Sequence, residues 1–363
     1  MSISQFKLRT RGVVRFLIAS TLFFAALSAS SSAVAQTKLS QDFKFTFSSI
    51  FNDQNDNTPQ APVVTGIAVK GSDMYVGADD RFVYRFDMNA GIPERVFQRA
   101  DSWVRAVAYS PTANEIASLS QNGQLATWNP QTGQKLRQAS DKITGSRSFA
   151  YSPSGNVIAV TSFDPVVSIF DASSLTKLRS WTAPQGGVTT IAFSHYGNLL
   201  AAGGRGGIVR IWNTESERVE RDLTFMGQDS GAPRRVRAIA FSKDDSLIAV
   251  GGDDDRIFVW ETTSGRLVAQ LQLPVSESSR KQGKGKVFSL TFCEGSVLAS
   301  GDSLNRVILW NVASKTILGD PEKPAHTGTV STLLYVPKEA GTPNGPYLFS
   351  GGFDTTVIRW KLE

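Results

Sequence analysis

The sequence is poor in the residues from which many catalytic centres and metal sites are built. It has two histidines and one cysteine among 363 residues. A single cysteine cannot form a disulfide within the chain, and a four-ligand zinc site normally needs more imidazole and thiol groups. The sequence also lacks the phosphate-binding loop Gly-x-x-x-x-Gly-Lys-Ser/Thr and the nucleophile elbow Gly-x-Ser-x-Gly. We therefore expect no catalytic residue, no metal and no cofactor.

Two features could still carry chemistry. Cys293 ends the apolar run Val-Phe-Ser-Leu-Thr-Phe-Cys, which favours a small buried hydrophobe over a reactive thiol. The run Asp253-Asp254-Asp255 has carboxylates of the kind that bind calcium. Its spacing matches no known calcium loop, so we interpret it as a turn with one structural aspartate. Carboxylates from different parts of the chain can also converge in space, which a sequence does not reveal.

The N-terminal apolar run is short for a membrane span. It covers residues 16–29, which is 14 residues, whereas a spanning helix needs about 20. Four basic residues precede it: Lys7, Arg9, Arg11 and Arg15. Small residues follow at Ala33 and Ala35, and this order is typical of a secretory signal peptide, with an uncleaved anchor as the alternative. We predict a signal peptide over 1–35, a folded domain over 36–363 without a membrane span, and a periplasmic or secreted location.

The remaining chain has little excess of either charge. The full sequence has 38 Lys and Arg against 32 Asp and Glu, a formal net charge of +6. Four of the basic residues lie in the predicted signal peptide, so 34 remain against 32 acidic residues, about +2. Global charge therefore gives no reason to expect nucleic-acid binding.

Internal repetition is the strongest feature of the sequence. Seven segments align: 63–86, 104–128, 149–170, 188–212, 236–260, 287–310 and 330–360. Each ends in an aromatic residue: Phe86, Trp128, Phe170, Trp212, Trp260, Trp310 and Trp360. The interval between these aromatics is about 42 residues in the first half and about 50 in the second. Repetition with such a period indicates a ring or a solenoid of similar units.

Each unit is predicted to consist of strands. In the fourth unit, the apolar runs 188–193, 199–204 and 208–212 are separated by turns rich in Gly and polar residues. In the fifth unit, a fourth run follows at 266–273. Runs of this length between such turns predict strands, and no helical period is present outside the N-terminal segment. Small residues such as Gly203 suit a position where neighbouring sheets crowd together.

These units resemble the WD40 repeat. The matching residues are Val-x-x-Ile-Ala-Phe-Ser-x-x-Gly-x-Leu-Leu-Ala-x-Gly and the terminal Trp, over about residues 40–363. Four units also have the expected Asp six residues before the aromatic: Asp80, Asp164, Asp254 and Asp354. The other three have Asn122, Gly206 and Leu304 there. The resemblance implies an all-β fold, a seven-bladed β-propeller of four-stranded antiparallel blades around a central channel.

The resemblance also implies how the ring closes. In such a blade the aromatic ends the third strand, and only three residues follow Trp360. The last blade would then lack its outer strand. The alternating segment 43–51 has no repeat of its own, so we predict that this N-terminal strand completes the last blade. Closure of the ring removes exposed sheet edges.

A buried hydrogen-bond network is a further implication. In the family, a His, a Ser or Thr, the turn Asp and the Trp are joined, and here only the last unit has the His. The expected members are His326, Ser350, Asp354 and Trp360. We predict a structural role for His326 and an exposed position for His195. The rigidity of the other blades should depend more on packing.

The extra length in the second half falls in two segments that flank the fifth unit, 225–237 and 276–286. The resemblance places both on the usual recognition face of a propeller. With nearby turns they supply these basic residues: Arg205, Arg234, Arg235, Arg237, Arg256, Arg280, Lys281, Lys284 and Lys286. We predict a basic patch that steers an acidic partner, with flexible, solubilising loops as the alternative. Trp103 either anchors a partner or packs between blades.

The sequence favours a non-catalytic protein-interaction scaffold of the bacterial cell envelope or periplasm. It would bind protein or peptide partners on the propeller face, as a monomer or as part of a complex. Two other hypotheses stay open: an enzyme or small-ligand binder that uses the central channel, and a structural or assembly factor of the envelope. Carboxylates that converge at the channel mouth would favour the enzyme.

Overall fold

The computed structural model describes residues 38–46, 62–88, 93–94 (backbone only), 97–227, 232–275, 284–319, 325–338 and 345–362. The predicted signal peptide lies outside these residues, as do Arg280 and Lys281. Within the described ranges the chain contains no helix that is long and apolar enough to cross a membrane.

The strands form seven four-stranded antiparallel sheets, the blades of a β-propeller. Blade one has β2 (Val64–Lys70), β3 (Asp73–Ala78), β4 (Val83–Asp87) and β5 (Pro93–Glu94). Blade two has β6 (Val104–Tyr109), β7 (Ile116–Ser120), β8 (Leu125–Trp128) and β9 (Lys135–Gln138). Blade three has β10 (Ser148–Tyr151), β11 (Val157–Thr161), β12 (Val166–Asp171) and β13 (Lys177–Thr182).

The later blades follow the same order. Blade four has β14 (Val188–Phe193), β15 (Leu199–Gly204), β16 (Ile208–Asn213) and β17 (Val219–Thr224). Blade five has β18 (Val236–Phe241), β19 (Leu247–Gly252), β20 (Asp254–Glu261) and β21 (Leu267–Gln272). Blade six has β22 (Val287–Phe292), β23 (Val297–Asp302), β24 (Val307–Asn311) and β25 (Thr316–Leu318). Blade seven has β26 (Val330–Val336), β27 (Tyr347–Gly352), β28 (Thr356–Leu362) and, as its outer strand, β1 (Leu39–Thr46).

The outer strand of blade seven comes from the N-terminal part of the chain, which confirms the predicted closure. β1 runs antiparallel to β28, with Leu39 opposite Leu362 and Phe45 opposite Val357. The strand begins four residues earlier than predicted, because its pairing reaches the end of β28. The Phe45 ring lies 5.3 Å from the Phe86 ring of blade one, edge to face. The closing strand therefore also packs against the next blade.

The hydrophobic core lies between the blades. Seven clusters of buried apolar side chains each join residues of two neighbouring blades, and together they follow the ring. All seven closing aromatics are buried in these clusters or beside them. The second strands are almost wholly buried, whereas outer strands such as β17 are mostly exposed. Each blade therefore depends on its neighbours to bury its apolar faces.

Small residues in the second strands mark the closest approach between blades, as the sequence predicted. A Cβ atom on Gly251 would lie 2.6 Å from Val287 Cγ1 of the next blade, and one on Gly351 would lie 2.5 Å from Val64 Cγ1. These distances are well below van der Waals contact. Only glycine allows this packing without a shift of the adjacent first strand.

Candidate binding face around the central channel

An extra residue interrupts strand pairing near the start of the first strand in six of the seven blades. In blade two, Val104 pairs with Ser120 and Ala106 with Leu119, so Arg105 is a bulged residue. A β-bulge changes the direction of a side chain. In blade three the aligned residue directly precedes β10. In ring order this position holds Thr65, Arg105, Arg147, Thr189, Arg237, Phe288 and Ser331.

All seven of these side chains line one cavity of about 340 Å³ at the mouth of the central channel. Phe163, Arg205 and Phe353 join them from the turns between second and third strands, and Arg235 joins from the residue before β18. The lining thus has five arginines, three phenylalanines and three hydroxyl residues. No Asp or Glu lines it among the described residues, so the paired carboxylates of a glycosidase-type site are not found there.

Aromatic rings hold several of the guanidinium groups. Arg147 Cζ lies 3.7 Å and Arg205 Cζ 4.5 Å from the centroid of the Phe163 ring. Arg237 Cζ lies 4.5 Å from the centroid of the Phe288 ring. Cation–π contacts of this kind fix a guanidinium plane and leave its N–H edges available to other groups.

The arginines also repel one another. Burial lowers the pKa of Arg147, and the positive charges of Arg105, Arg205 and Arg235 lower it further. Burial likewise lowers the pKa of Arg235, with the charges of Arg237 and Arg205 as the next causes. Two polar contacts offset part of this repulsion. Arg237 Nε donates to Asp253, and Arg105 Nη2 donates to Gln121 at 2.8 Å.

The structure brings part of the predicted basic patch together. Arg205, Arg235 and Arg237 share the channel-mouth cavity. Lys284 and Lys286 are exposed in the segment before β22, and Arg234 is partly buried beside Arg235. The patch is therefore centred on the channel and extends toward blade six.

Arg256 does not belong to this patch, which corrects the sequence prediction. Its side chain is buried, with Nε 2.9 Å from Asp254 Oδ1. Its Nη2 donates to the Met226 carbonyl at 2.9 Å. Arg256 lies inside blade five near the start of β20. Its guanidinium contacts the backbone of segment 225–237 and does not face solvent.

Trp103 is exposed at the same face. Its side chain is 46% exposed, and the Arg105 guanidinium lies 5.7 Å from its ring centroid. Its carbonyl accepts from the Gln121 amide. Arg235 and Lys286 occupy the equivalent position in blades five and six, where their carbonyls accept from Asp253 and Ser303. Trp103 thus remains a candidate contact, and the structure does not place it between blades.

Sequence reasoning missed Arg105 and Arg147. Both lie in short repeats without long loops, whereas most of the basic residues predicted to bind a partner lie in the longer intervals. A column-wise comparison of the aligned repeats would have found them, because the column of Arg105 also contains Arg147 and Arg237 and is therefore Arg in three of the seven units. The signal was present in the sequence, but its meaning depended on knowing that this position faces the channel.

The four residues expected to form a buried network meet in blade seven. Trp360 Nε1–H donates to Ser350 Oγ at 2.9 Å, and Ser350 Oγ lies 2.8 Å from His326 Nε2. His326 Nδ1 lies 2.9 Å from Asp354 Oδ1. A carboxylate can only accept, so Nδ1 carries the proton of this bond and Nε2 can accept from the Ser350 hydroxyl.

Asp354 is held ionised by this network. Burial alone would raise its pKa, but hydrogen bonds from His326, the Thr327 amide and the Thr356 hydroxyl hold the pKa of Asp354 well below its usual value. Blades two and six keep one part of the arrangement, because Trp128 and Trp310 each donate to a serine at 2.8 Å.

The other turn aspartates share a position with Asp354 but have different partners. Asp80 accepts from the Phe82 amide and the Tyr84 hydroxyl, and Asp254 accepts from Arg256. Asp164 is exposed. In blade six the buried aspartate is Asp302, which lies two residues before Leu304. The Asp302 carboxylate accepts a hydrogen bond from Arg306 Nε at 2.7 Å. The sequence comparison missed this buried pair, since it looked only six residues before the aromatic.

Cys293 and His195 lie in surroundings that indicate a structural role. Cys293 is buried, and burial raises the pKa of its thiol to about 12. His195 is about half exposed, and its backbone amide donates to Asp245 of blade five at 2.6 Å. No group of three or more His, Cys, Asp or Glu that could hold a metal ion occurs in the described part of the chain.

Comparison with known protein families agrees with this architecture. Three segments match the family model of the WD domain, G-beta repeat: residues 175–213, 222–261 and 322–361. They cover about a third of the chain, and each ends one residue after the closing aromatic of its blade: Trp212 of blade four, Trp260 of blade five and Trp360 of blade seven. No curated protein matches the chain. WD40 propellers are generally non-catalytic protein-interaction scaffolds, and this chain is a seven-bladed β-propeller that contains three segments similar to their repeats.

Proposed function

We propose that this protein is a non-catalytic protein-interaction scaffold of the bacterial cell envelope or periplasm. It binds a protein or peptide partner on the face around the channel mouth. The observation that carries this proposal is the combination of WD40-type repeats with an exposed aromatic and several cations on one face of a closed ring.

The chemistry of this face favours an acidic partner. An exposed aromatic such as Trp103 is a common anchor in protein interfaces. Cations such as Arg235 and Lys286 increase the rate of association with negatively charged surfaces. Trp103, Arg235 and Lys286 each directly precede the first strand of a blade, so the ring holds their backbone in place and little order has to be gained on binding.

Partner capture tests the scaffold role. The mature protein would be crosslinked in its native envelope and captured, and its partners identified by mass spectrometry. We expect a variant with Trp103→Ala, Arg280→Ser, Lys281→Ser, Lys284→Ser and Lys286→Ser to lose acidic partners. A control with Lys177→Ser and Arg266→Ser, on the exposed outer side of blades three and five, should retain them. An identical set of partners for both variants would contradict the proposed face.

Export is tested separately. Expression of the full chain should give a product that begins at Gln36, because small residues at Ala33 and Ala35 fit the cleavage site of a signal peptidase. Fractionation and intact mass measurement provide the test. A membrane-bound product with the mass of the full chain would show that the N-terminal segment is an anchor.

A further inference from the structure

The channel mouth has more positive charge than its surroundings balance. Five guanidinium groups line it. Two carboxylates offset part of this charge: Asp253 accepts from Arg237 Nε, and the negative charge of Asp79 opposes the lowering of the Arg105 pKa by burial. A formal excess of three positive charges remains within one cavity. Like charges this close destabilise the free protein, so a bound anion would relieve the repulsion.

Unused hydrogen-bond donors accompany this charge. The Nε atoms of Arg105 and Arg147 are buried and have no acceptor among the described residues. A buried donor without an acceptor costs free energy. Guanidinium groups form paired N–H···O bonds with oxyanions and match phosphate geometry well. The cavity therefore combines an excess of positive charge with guanidinium groups whose hydrogen-bonding capacity the described residues do not exhaust.

The position of these groups is fixed before any ligand arrives. Arg105, Arg147 and Arg237 occupy the same position in three blades, at or directly before the first strand. Phe163 holds two guanidinium planes, and Phe288 holds a third. Preorganised donors of this kind favour binding because they lose little freedom on contact with the ligand.

We propose that the channel mouth binds a small molecule that carries two linked phosphate groups. One phosphate ester carries about −1.5 to −2 at neutral pH, which leaves part of the excess unbalanced, whereas two phosphates match it. The volume of about 340 Å³ lies within the range of about 300–1,000 Å³ that small-ligand pockets occupy. This inference goes beyond the scaffold role and does not depend on it.

Isothermal titration calorimetry of the mature protein with pyrophosphate tests this site. We expect pyrophosphate to bind more tightly than orthophosphate or citrate, and its affinity to fall as NaCl is raised. Arg105→Gln and Arg147→Gln should each weaken binding by about 10- to 100-fold, as expected for a charged hydrogen-bond partner. Arg266→Gln, on the outer side of blade five, is the matched control and should bind like the wild type.

Thermal unfolding separates loss of the site from loss of the fold. Without ligand, Arg147→Gln should melt at or above the wild-type temperature, because the substitution removes a repelling charge. Pyrophosphate should raise the Tm of the wild type but not of this variant. Three results would overturn the proposal: no binding by the folded wild type, citrate affinity equal to that of pyrophosphate, or unchanged affinity in Arg147→Gln. Pyrophosphate binding without partner capture would contradict only the scaffold role.

Discussion

The residue four positions before the closing aromatic differs from blade to blade, and the buried hydrogen bonds that it forms differ with it. Four residues before the closing aromatic, blade two has Gln124, which donates to the Ala139 carbonyl at 2.8 Å. Blade seven has Thr356 in the histidine network, and blade six has Arg306, whose Nη1 donates to the Pro274 carbonyl at 2.8 Å. Blade four has apolar Ile208. A buried polar side chain requires hydrogen-bond partners, so each polar residue at this position has partners that are specific to its own blade.

Arg306 is expected to be important for stability through its partner Asp302. Burial raises the pKa of Asp302, although Arg306 opposes this shift. In Arg306→Met the fully buried carboxylate would lose its cation, and the free energy of unfolding should fall by about 3–5 kcal/mol. Urea unfolding measures the change. The double variant Asp302→Gly with Arg306→Ile copies blade four and should recover most of it; equal losses in both would contradict the ion-pair explanation.

Asp354 should make the stability of the fold depend on acidic pH. Its pKa is depressed in the folded protein, so its contribution is complete above the unfolded value of about 3.9 and decreases as the pH falls below it. We expect the free energy of unfolding of the wild type to decline as the pH falls through about 4 and further into the acid range. The side chain of Asn does not titrate, so the free energy of unfolding of Asp354→Asn should decline less steeply with falling pH. Parallel pH profiles for the two proteins would show that Asp354 has no such role.

At the scale of elements, β1 has a role that no repeat strand has. It contributes no repeat motif, but it pairs along the length of β28 and packs Phe45 against Phe86 of blade one. Arg359 of β28 also donates to Asp42 of β1 at 2.7 Å. β1 therefore covers an edge that would otherwise expose unpaired backbone groups.

Removal of this strand should open the ring. A mature protein lacking residues 37–46 would expose the edge of β28 and the Phe86 side chain. We expect aggregation or rapid proteolysis, measured by size-exclusion chromatography and limited trypsin digestion. A soluble deletion product that melts cooperatively would contradict the closure role. Lys44→Ser, which changes an exposed side chain and keeps the strand, should behave like the wild type.

At the scale of the whole molecule, the seven clusters between blades form one continuous circuit. Trp212 belongs to the cluster of blades three and four, and Trp310 to that of blades five and six. Open repeat arrays can lose cooperativity because each repeat contacts only its neighbours. A closed ring has no free end from which to unfold.

The protein should consequently unfold in a single transition, whichever blade carries a destabilising substitution. Trp212→Ala and Trp310→Ala should each lower the free energy of unfolding by about 3–5 kcal/mol, the usual cost for a large core aromatic. The two costs should add in the double variant, because the sites share no contacts. Far-UV and near-UV circular dichroism should give coincident transitions. Separate transitions would indicate that the blades unfold independently.

Repetition in the sequence determined the number of blades and their strands, and the blade layout implied by the WD40 resemblance added the closing role of the N-terminal segment. A repeated pattern carries this information because every unit must bury the same faces against its neighbours. The pairing of His326 with Asp354 was an implication of the resemblance of the last repeat to the WD40 family, and the structure contains it. The buried position of Arg256 was not predicted from the sequence, because a side chain near a turn can point outward or into the blade. Here it points into the blade, where the buried Asp254 carboxylate accepts a hydrogen bond from its guanidinium.

The channel mouth was decided only by the tertiary structure. Arg105 and Arg237 are 132 positions apart in the sequence, and each looks ordinary within its own repeat. Ring closure and the bulges at equivalent positions bring them to one cavity. A single repeat fixes where a side chain points, but only the arrangement of all seven repeats fixes which side chains face one another.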